Sequence, residues 1–402
     1  MPLGLYISVP FCRTKCSYCN FASDVFSKSA YENYVGRVLE DIACSRTLAA
    51  GLGCEIEAGA FEEDVDSIYL GGGTPSILDA SQLLRIFDAL RDQFTVAPGA
   101  EITVECAPGT LATPMIETLL RAGVNRVSLG VQSFVDQEAQ SVGRLHKRST
   151  VLEEVARLRE AGLHNINIDL IAGLPYQTAE SWTFSLAETI ALDAPHASIY
   201  KLEVDEDSRL GRELIAGGTR YHAHFVPDDE ATADFYVQAC ETLNSAGITQ
   251  YEISNFARPG SESLHNLKYW TRQPYLGFGV DAHSMLPASG GGHEAVRFAA
   301  SDSLDAYMNR VPHAVTAVST RAAIEESFFL GLRLNRGVDL DALRGEFTRD
   351  AVAAFEPAVN ECLQQGLLEK QGMQVCLTDR GRLLSNEVFA RFLMEESTVK
   401  KL

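Results

Sequence analysis

Leu5-Tyr6-Ile7-Ser8-Val9-Pro10-Phe11-Cys12-Arg13-Thr14-Lys15-Cys16-Ser17-Tyr18-Cys19-Asn20-Phe21 sets three cysteines in a C-x3-C-x2-C spacing directly behind a strand-like apolar run. Thiolates this close together on one loop can converge on a single metal centre. Their number is informative. A structural zinc site wants four protein ligands, generally as two separated pairs, and the chain has no second close pair. A [4Fe–4S] cube held by three cysteines leaves one iron open to a ligand. The count therefore points to chemistry rather than to a structural clamp.

A chain of 402 residues, 46% hydrophobic and 22% charged, is globular and long enough for two domains. No apolar run approaches the roughly 20 residues that span a bilayer, and the first strand begins by residue 3 without a basic or apolar leader. The expectation is a cytoplasmic protein whose membrane contact is at most peripheral, at the inner membrane face. Cys44, Cys54, Cys106, Cys240, Cys362 and Cys376 are scattered singly, as small buried hydrophobes in a reducing compartment are. A formal net charge of −20 argues against a general phosphate-binding surface, so no nucleic-acid partner is expected.

Outward from the cysteine loop, strand-like runs at residues 4–9, 67–71, 101–106, 126–131, 165–171 and 198–204 alternate with helical patterns. The helices fall at roughly 29–50, 81–94, 113–122, 150–161 and 178–192, with Gly123 and Gly162 as stops. Crossovers of this length imply a parallel sheet with helices outside it. The fold class is α/β: an open, partial (β/α)6 TIM-like barrel, with its site at the C-terminal strand ends. Unusual residues sit at those ends. The cysteine loop follows the first strand and Gly71-Gly72-Gly73-Thr74-Pro75 the second. Glu105 closes the third, Gly130-Val131-Gln132-Ser133 the fourth, and Asp169 lies on the fifth. Polar groups at five successive ends describe a pocket.

Residues 206–315 are less regular. His222-Ala223-His224 has no third ligand nearby and reads as loop surface. Ser263-Leu264-His265-Asn266-Leu267-Lys268-Tyr269-Trp270 holds one of two tryptophans. A histidine beside aromatics is either ordinary packing or a place where a porphyrin is ligated and stacked. Residues 275–284 read as a glycine-broken strand lining the same region. Beyond 316, helices and a hairpin resemble a winged helix. This part is slightly acidic, which favours a lid or partner surface over a nucleic-acid reader. The expected division is 1–315 and 316–402.

With Tyr18 before its last cysteine, the C-x3-C-x2-C loop resembles the radical S-adenosylmethionine (SAM) proteins. The whole chain is similar to their oxygen-independent coproporphyrinogen III dehydrogenase-like family. The resemblance implies a [4Fe–4S] cluster on Cys12, Cys16 and Cys19 whose open iron takes the amino and carboxylate groups of SAM. In that family one electron from the reduced cluster breaks the SAM C–S bond to give a 5′-deoxyadenosyl radical. It also implies SAM contacts at Tyr6, Gly72, Gly73, Thr74, Glu105, Gln132, Arg144 and Asp169. A guanidinium suits a carboxylate, so Arg144 becomes the clamp, and Gln132 and Asp169 become ribose or amino contacts.

The family has two branches. One is the dehydrogenase of porphyrin biosynthesis, which oxidatively decarboxylates two propionates of coproporphyrinogen III. The other resembles that enzyme but is a haem chaperone. The dehydrogenase carries a fourth cysteine where this chain has Phe21, and a long N-terminal extension ahead of its first strand. His265-Asn266-Leu267-Lys268-Tyr269-Trp270 matches the H-N-x-x-Y-W haem motif of the chaperone branch. The resemblance thus implies haem at His265, Asn266, Tyr269 and Trp270, delivery to respiratory haem proteins, a homodimer, and no catalytic residue to assign. Ser8 departs from the family, which commonly has histidine there. A third reading, a metal-binding scaffold without SAM chemistry, is disfavoured by the retained Arg144 and Asp169.

Overall fold

A computed structural model describes residues 1–393. In β1 (Leu3–Val9) every residue but Tyr6 is buried, as befits a strand covered on both faces. β2 (Val65–Gly72), β3 (Val96–Cys106), β4 (Arg126–Gln132), β5 (Asn165–Ala172) and β6 (His196–Lys201) follow, each parallel to its predecessor. The helices Ala80–Gln93, Thr113–Arg121, Arg148–Glu160 and Ala179–Ala191 cross between them. In the first of these, Leu83, Ile86, Phe87 and Leu90 form one buried stripe, and Asp79 with Gln82 closes a capping box.

Two local expectations shift. The helix expected at 29–50 is two, Lys28–Ala43 and Ser45–Ala50, because Cys44 leaves helical geometry at φ −98°, ψ 9°. The sixth strand starts at His196 and stops at Lys201, since its pairing with β5 runs only from Asn167 to Ala172. The run at 275–284 is two strands broken at a glycine, as its sequence implies. Gly279 breaks it at φ 103°, where a Cβ would lie 2.3 Å from the Tyr34 hydroxyl oxygen and 2.6 Å from the Ser8 carbonyl oxygen.

β7 (Thr249–Gln250), β8 (Asn255–Ala257), β9 (Tyr275–Phe278), β10 (His283–Pro287), β11 (His293–Ala299) and β12 (Ala314–Ser319) widen the sheet on both sides. Its 12 strands run β12-β11-β10-β9-β1-β2-β3-β4-β5-β6-β8-β7. β9 joins β1 in parallel and the other added pairs are antiparallel. The sheet is therefore mixed, with a parallel centre.

β13 (Val338–Asp339), β14 (Leu368–Gln371) and β15 (Gln374–Leu377) form a small separate sheet beside the helices Thr320–Gly331, Leu340–Glu346, Arg349–Ala353 and Glu356–Gln364. This α+β part packs onto the widened edge: Phe328, Leu332 and Val375 share one core with Tyr275, Met285, Ala295 and Val318. Buried Glu326 receives Arg272 Nε at 3.1 Å and Arg297 Nη1 at 2.7 Å across the same junction. The division expected at 315/316 falls inside β12, and residues 394–402 lie outside the described residues. Among the described residues no helix is long and apolar enough to cross a membrane.

Candidate metal centre and cofactor cavity

The loop after β1 is held in shape by its backbone. Cys12 N–H donates to Asp24 O at 3.0 Å, Asp24 N–H to Pro10 O at 2.9 Å, and Ser17 N–H to Val142 O at 3.1 Å. Lys15 Nζ, at 2.7 and 2.6 Å, donates to the carbonyls of Phe21 and Ser23. This places Cys12, Cys16 and Cys19 on the wall of one cavity of about 720 Å³. Each thiol has a different neighbour: Thr74 Oγ1 is 3.8 Å from Cys12 Sγ, Arg144 Nη1 is 3.7 Å from Cys16 Sγ, and Ser23 Oγ is 4.0 Å from Cys19 Sγ. Burial pushes the Cys12 thiol up, a cost that iron's positive charge offsets when a thiolate binds it. No three His, Cys, Asp or Glu side chains among the described residues converge on a single ion. Three thiols on one cavity wall are the donor set that a [4Fe–4S] cluster takes.

Strand ends supply the rest of the wall. Gly72 stands at φ 97°, and a Cβ on Gly73 would lie 2.7 Å from the carbonyl oxygens of Val9 and Phe11, so this turn admits no side chain. Glu105 accepts from Tyr69 Oη at 2.8 Å and from Gly72 N–H at 3.2 Å. Burial, and then the charge of Asp169, raise its carboxyl to about 7. Asp169 accepts from Ser128 Oγ at 3.0 Å and Asn167 Nδ2 at 2.8 Å, and burial raises it too. Gln132 follows a break in register between β4 and β5 and takes φ 70°, a strained conformation for a residue other than glycine. Its Oε1 is buried without a hydrogen-bond partner, as is Arg144 Nε. Arg144 donates to Gly130 O and Cys16 Sγ. An orphaned acceptor and an orphaned guanidinium N–H beside the cysteines fit a zwitterionic amino acid such as the methionyl end of SAM.

The cavity thus gathers the three cysteines, Gly72, Gly73, Thr74, Glu105, Gln132, Arg144, Asp169 and, from the second half, Asn266. Tyr6, His265, Tyr269 and Trp270 are not among its lining residues. Tyr6 lies under the Gly72 turn, its ring centroid 6.1 Å from that of Tyr69 and 6.2 Å from that of His265. The helix Leu264–Trp270 is anchored by Glu101, which accepts from the N–H groups of Leu264 and His265 at 3.1 Å each. That placement turns His265 inward. Burial, then the Lys268 charge, push its imidazole down to about 3. Trp270 packs under Arg333, whose Cζ is 4.1 Å from the indole centroid. His222 and His224 are exposed and stand apart, with His222 Nδ1 2.9 Å from the Tyr176 hydroxyl.

Sequence reading missed Tyr69, Arg126, Ser128, Asn167 and Arg333, all on the cavity wall. Two of them had a usable signal. Ser128 lies two before Gly130 and Asn167 two before Asp169, so strand alternation puts each on the same face as a suspected site residue.

This cavity, with its three-thiol loop at the C-terminal strand ends of the sheet's parallel centre, defines the protein's class. Residues 6–186 match the model of the radical SAM superfamily and residues 318–384 that of the HemN C-terminal domain. The chain is 34% identical over 394 residues to heme chaperone HemW of Bacillus subtilis (strain 168), covering 97% of this chain and 99% of that one. It is 32% identical over 400 residues to heme chaperone HemW of Lactococcus lactis subsp. lactis (strain IL1403), covering 98% of each. The chain belongs to the HemW family of radical SAM proteins. Among solved structures, coproporphyrinogen III oxidase (HemN) from Escherichia coli superposes with a TM-score of 0.80 over 97% of this chain and 90% of that one, at 23% identity. That likeness is one of fold.

Proposed function

We propose that this protein is a haem chaperone of the radical SAM class. Cys12, Cys16 and Cys19 hold a [4Fe–4S] cluster, and Gly72, Gly73, Thr74, Glu105, Gln132, Arg144 and Asp169 bind SAM against it, with Tyr6 supporting the turn from below. Haem is the cargo, taken at the segment of His265, Asn266, Tyr269 and Trp270 and passed as a homodimer to respiratory haem proteins at the cytoplasmic membrane face. Residues 1–315 form the cofactor-binding unit, and residues 316–402 the unit that closes the cavity. The observation that carries this reading is full-length similarity to HemW proteins, combined with one cavity that holds three thiols beside orphaned polar atoms.

A reduced cluster with SAM bound supplies one-electron chemistry. The chain's own contribution is to place and neutralise. Arg144 brings a positive charge beside Cys16, the side-chain-free Gly72–Gly73 turn lets backbone approach a ligand, and Gln132 offers an unused acceptor. Phe21, exposed on the cavity rim, offers no thiol at the position where the dehydrogenase branch carries its fourth cysteine.

The test is anaerobic reconstitution followed by haem titration and a coproporphyrinogen III assay with SAM and a low-potential reductant. Saturable haem binding, with a Soret band altered in His265→Ala and no porphyrinogen turnover, is expected. Multiple turnovers would move the protein to the dehydrogenase branch.

A further inference from the structure

The chain carries a formal net charge of −20, yet six cationic side chains line its cavity. Arg13, Lys15, Arg126, Arg144, Lys201 and Arg333 line it against Glu105, Asp169 and Glu203. Thiolates on Cys12, Cys16 and Cys19, Glu101 4.0 Å from Arg126 and Glu252 3.4 Å from Arg333 offset most of these charges, and Arg333 is a cation whose donors stay largely unmatched.

Five of the six cations come from the barrel. The sixth, Arg333, is supplied by the turn after Thr320–Gly331 and stands with Ser254, Asn266, Ser385 and Asn386 at a wall built jointly with the C-terminal part. It is held there firmly. Asn335 N–H donates to Tyr251 O at 3.0 Å, Asn335 Nδ2 to Gln250 O at 2.6 Å, and Arg382 Nη1 to Asn335 Oδ1 at 2.7 Å. The guanidinium Cζ lies 4.1 Å from the Trp270 ring centroid, and Nη2 is 3.4 Å from Oε2 of fully buried Glu252. Glu252 is itself fixed by Ser254 N–H at 3.0 Å and Asn255 Nδ2 at 2.5 Å.

This pair is under-satisfied. A guanidinium presents five N–H donors, and Glu252 takes one of them at long range. Arg333 Nε is buried without a partner, and so is the indole Nε1 of Trp270 beneath it. Arg333, on the cavity wall, thus has donors that no acceptor of the described residues meets, and a planar guanidinium matches a carboxylate.

We propose that Arg333 anchors a carboxylate of the cargo, so that a tetrapyrrole is gripped by its propionates at the wall shared with the C-terminal part. The anchor rests on the haem reading above. It assigns this end of the cavity to an anionic planar ligand, and it gives the C-terminal part a direct role in choosing that ligand.

Reconstituted full-length protein is titrated with haem, with protoporphyrin IX, and with protoporphyrin IX dimethyl ester, which lacks the charges. The free diacid should bind roughly ten- to a hundredfold tighter than the ester. Arg333→Gln should abolish that preference and Arg333→Lys should keep part of it. His265→Ala should alter the haem Soret band while leaving the acid-to-ester ratio intact. Because Arg333→Gln strips Glu252 of its counter-charge, the double variant Glu252→Gln/Arg333→Gln is measured beside it and should lose the preference equally. Equal affinity for acid and ester in the unaltered protein overturns the anchor, as does a preserved ratio in either Gln variant. Absence of binding by all three porphyrins overturns the anchor together with the haem reading. Haem binding with an unchanged ratio overturns the anchor alone.

Discussion

His265 and Tyr269 are hydrogen-bonded to one another within a single helical turn, imidazole Nε2 lying 2.9 Å from the tyrosine hydroxyl. The other ring nitrogen, Nδ1, is 3.1 Å from Ser67 Oγ on β2. The fold therefore employs both nitrogens, and an iron that takes Nε2 has to displace Tyr269.

That competition makes a prediction. Tyr269→Phe keeps the ring and removes the competing hydroxyl, so it should strengthen haem binding if the iron takes Nε2. The expected gain is about 1 kcal/mol, the net worth of the hydrogen bond released. His265→Ala should lower the melting temperature of ligand-free protein as well as shift the Soret band. Haem titration of Tyr269→Phe showing weaker binding would place the iron ligand elsewhere.

Glu105 should make the ligand-free protein sensitive to alkaline pH. Its folded carboxyl titrates near about 7, against an ordinary 4.5, so between those values the folded state holds a proton that the unfolded chain has released. The stabilisation is fully present below the unfolded value and is lost as pH rises through the folded one. Glu105→Gln stays neutral throughout. Its unfolding free energy should therefore gain on that of the unaltered protein by on the order of 2–3 kcal/mol as pH rises from about 5 to about 8, read as a relative rise in melting temperature. Parallel melting curves across that range would refute the assignment.

Reconstitution under anaerobic conditions should load about four irons and four sulfides per chain and give a brown, oxygen-sensitive chromophore. Cys12→Ala, Cys16→Ala and Cys19→Ala should each abolish it. Cys44, which is exposed, and Cys362, which is buried in the core that joins the C-terminal part to the sheet edge, should be replaceable by Ala without loss of the cluster. Stoichiometric tetrahedral zinc in the purified protein would contradict this account.

Arg144→Ala should weaken SAM binding by about 2 kcal/mol, the worth of a charge-assisted hydrogen bond. Calorimetry on the reconstituted protein measures it directly. Unchanged affinity in both Arg144→Ala and Asp169→Ala would mean that SAM binds away from the strand ends.

Much of this was readable because it is local. Three cysteines within eight residues need no long-range information to share a loop. Glu105, Gln132 and Asp169 were found because a parallel strand aims its C-terminal end at the site, and glycine stops such as Gly123 and Gly162 bounded the helices between. Long-range packing chose the rest. Neighbours on a helix are turned by about 100°, so whether His265 or Asn266 meets the cavity depends on how the helix lies against Glu101, Ser67 and Tyr6. No spacing along the chain encodes that. The twelve-strand width likewise depends on β9 pairing with β1, residues that are far apart in sequence. Arg333 reaches the cavity wall because the C-terminal part docks through Glu326 and Asn335, contacts between residues far apart in sequence.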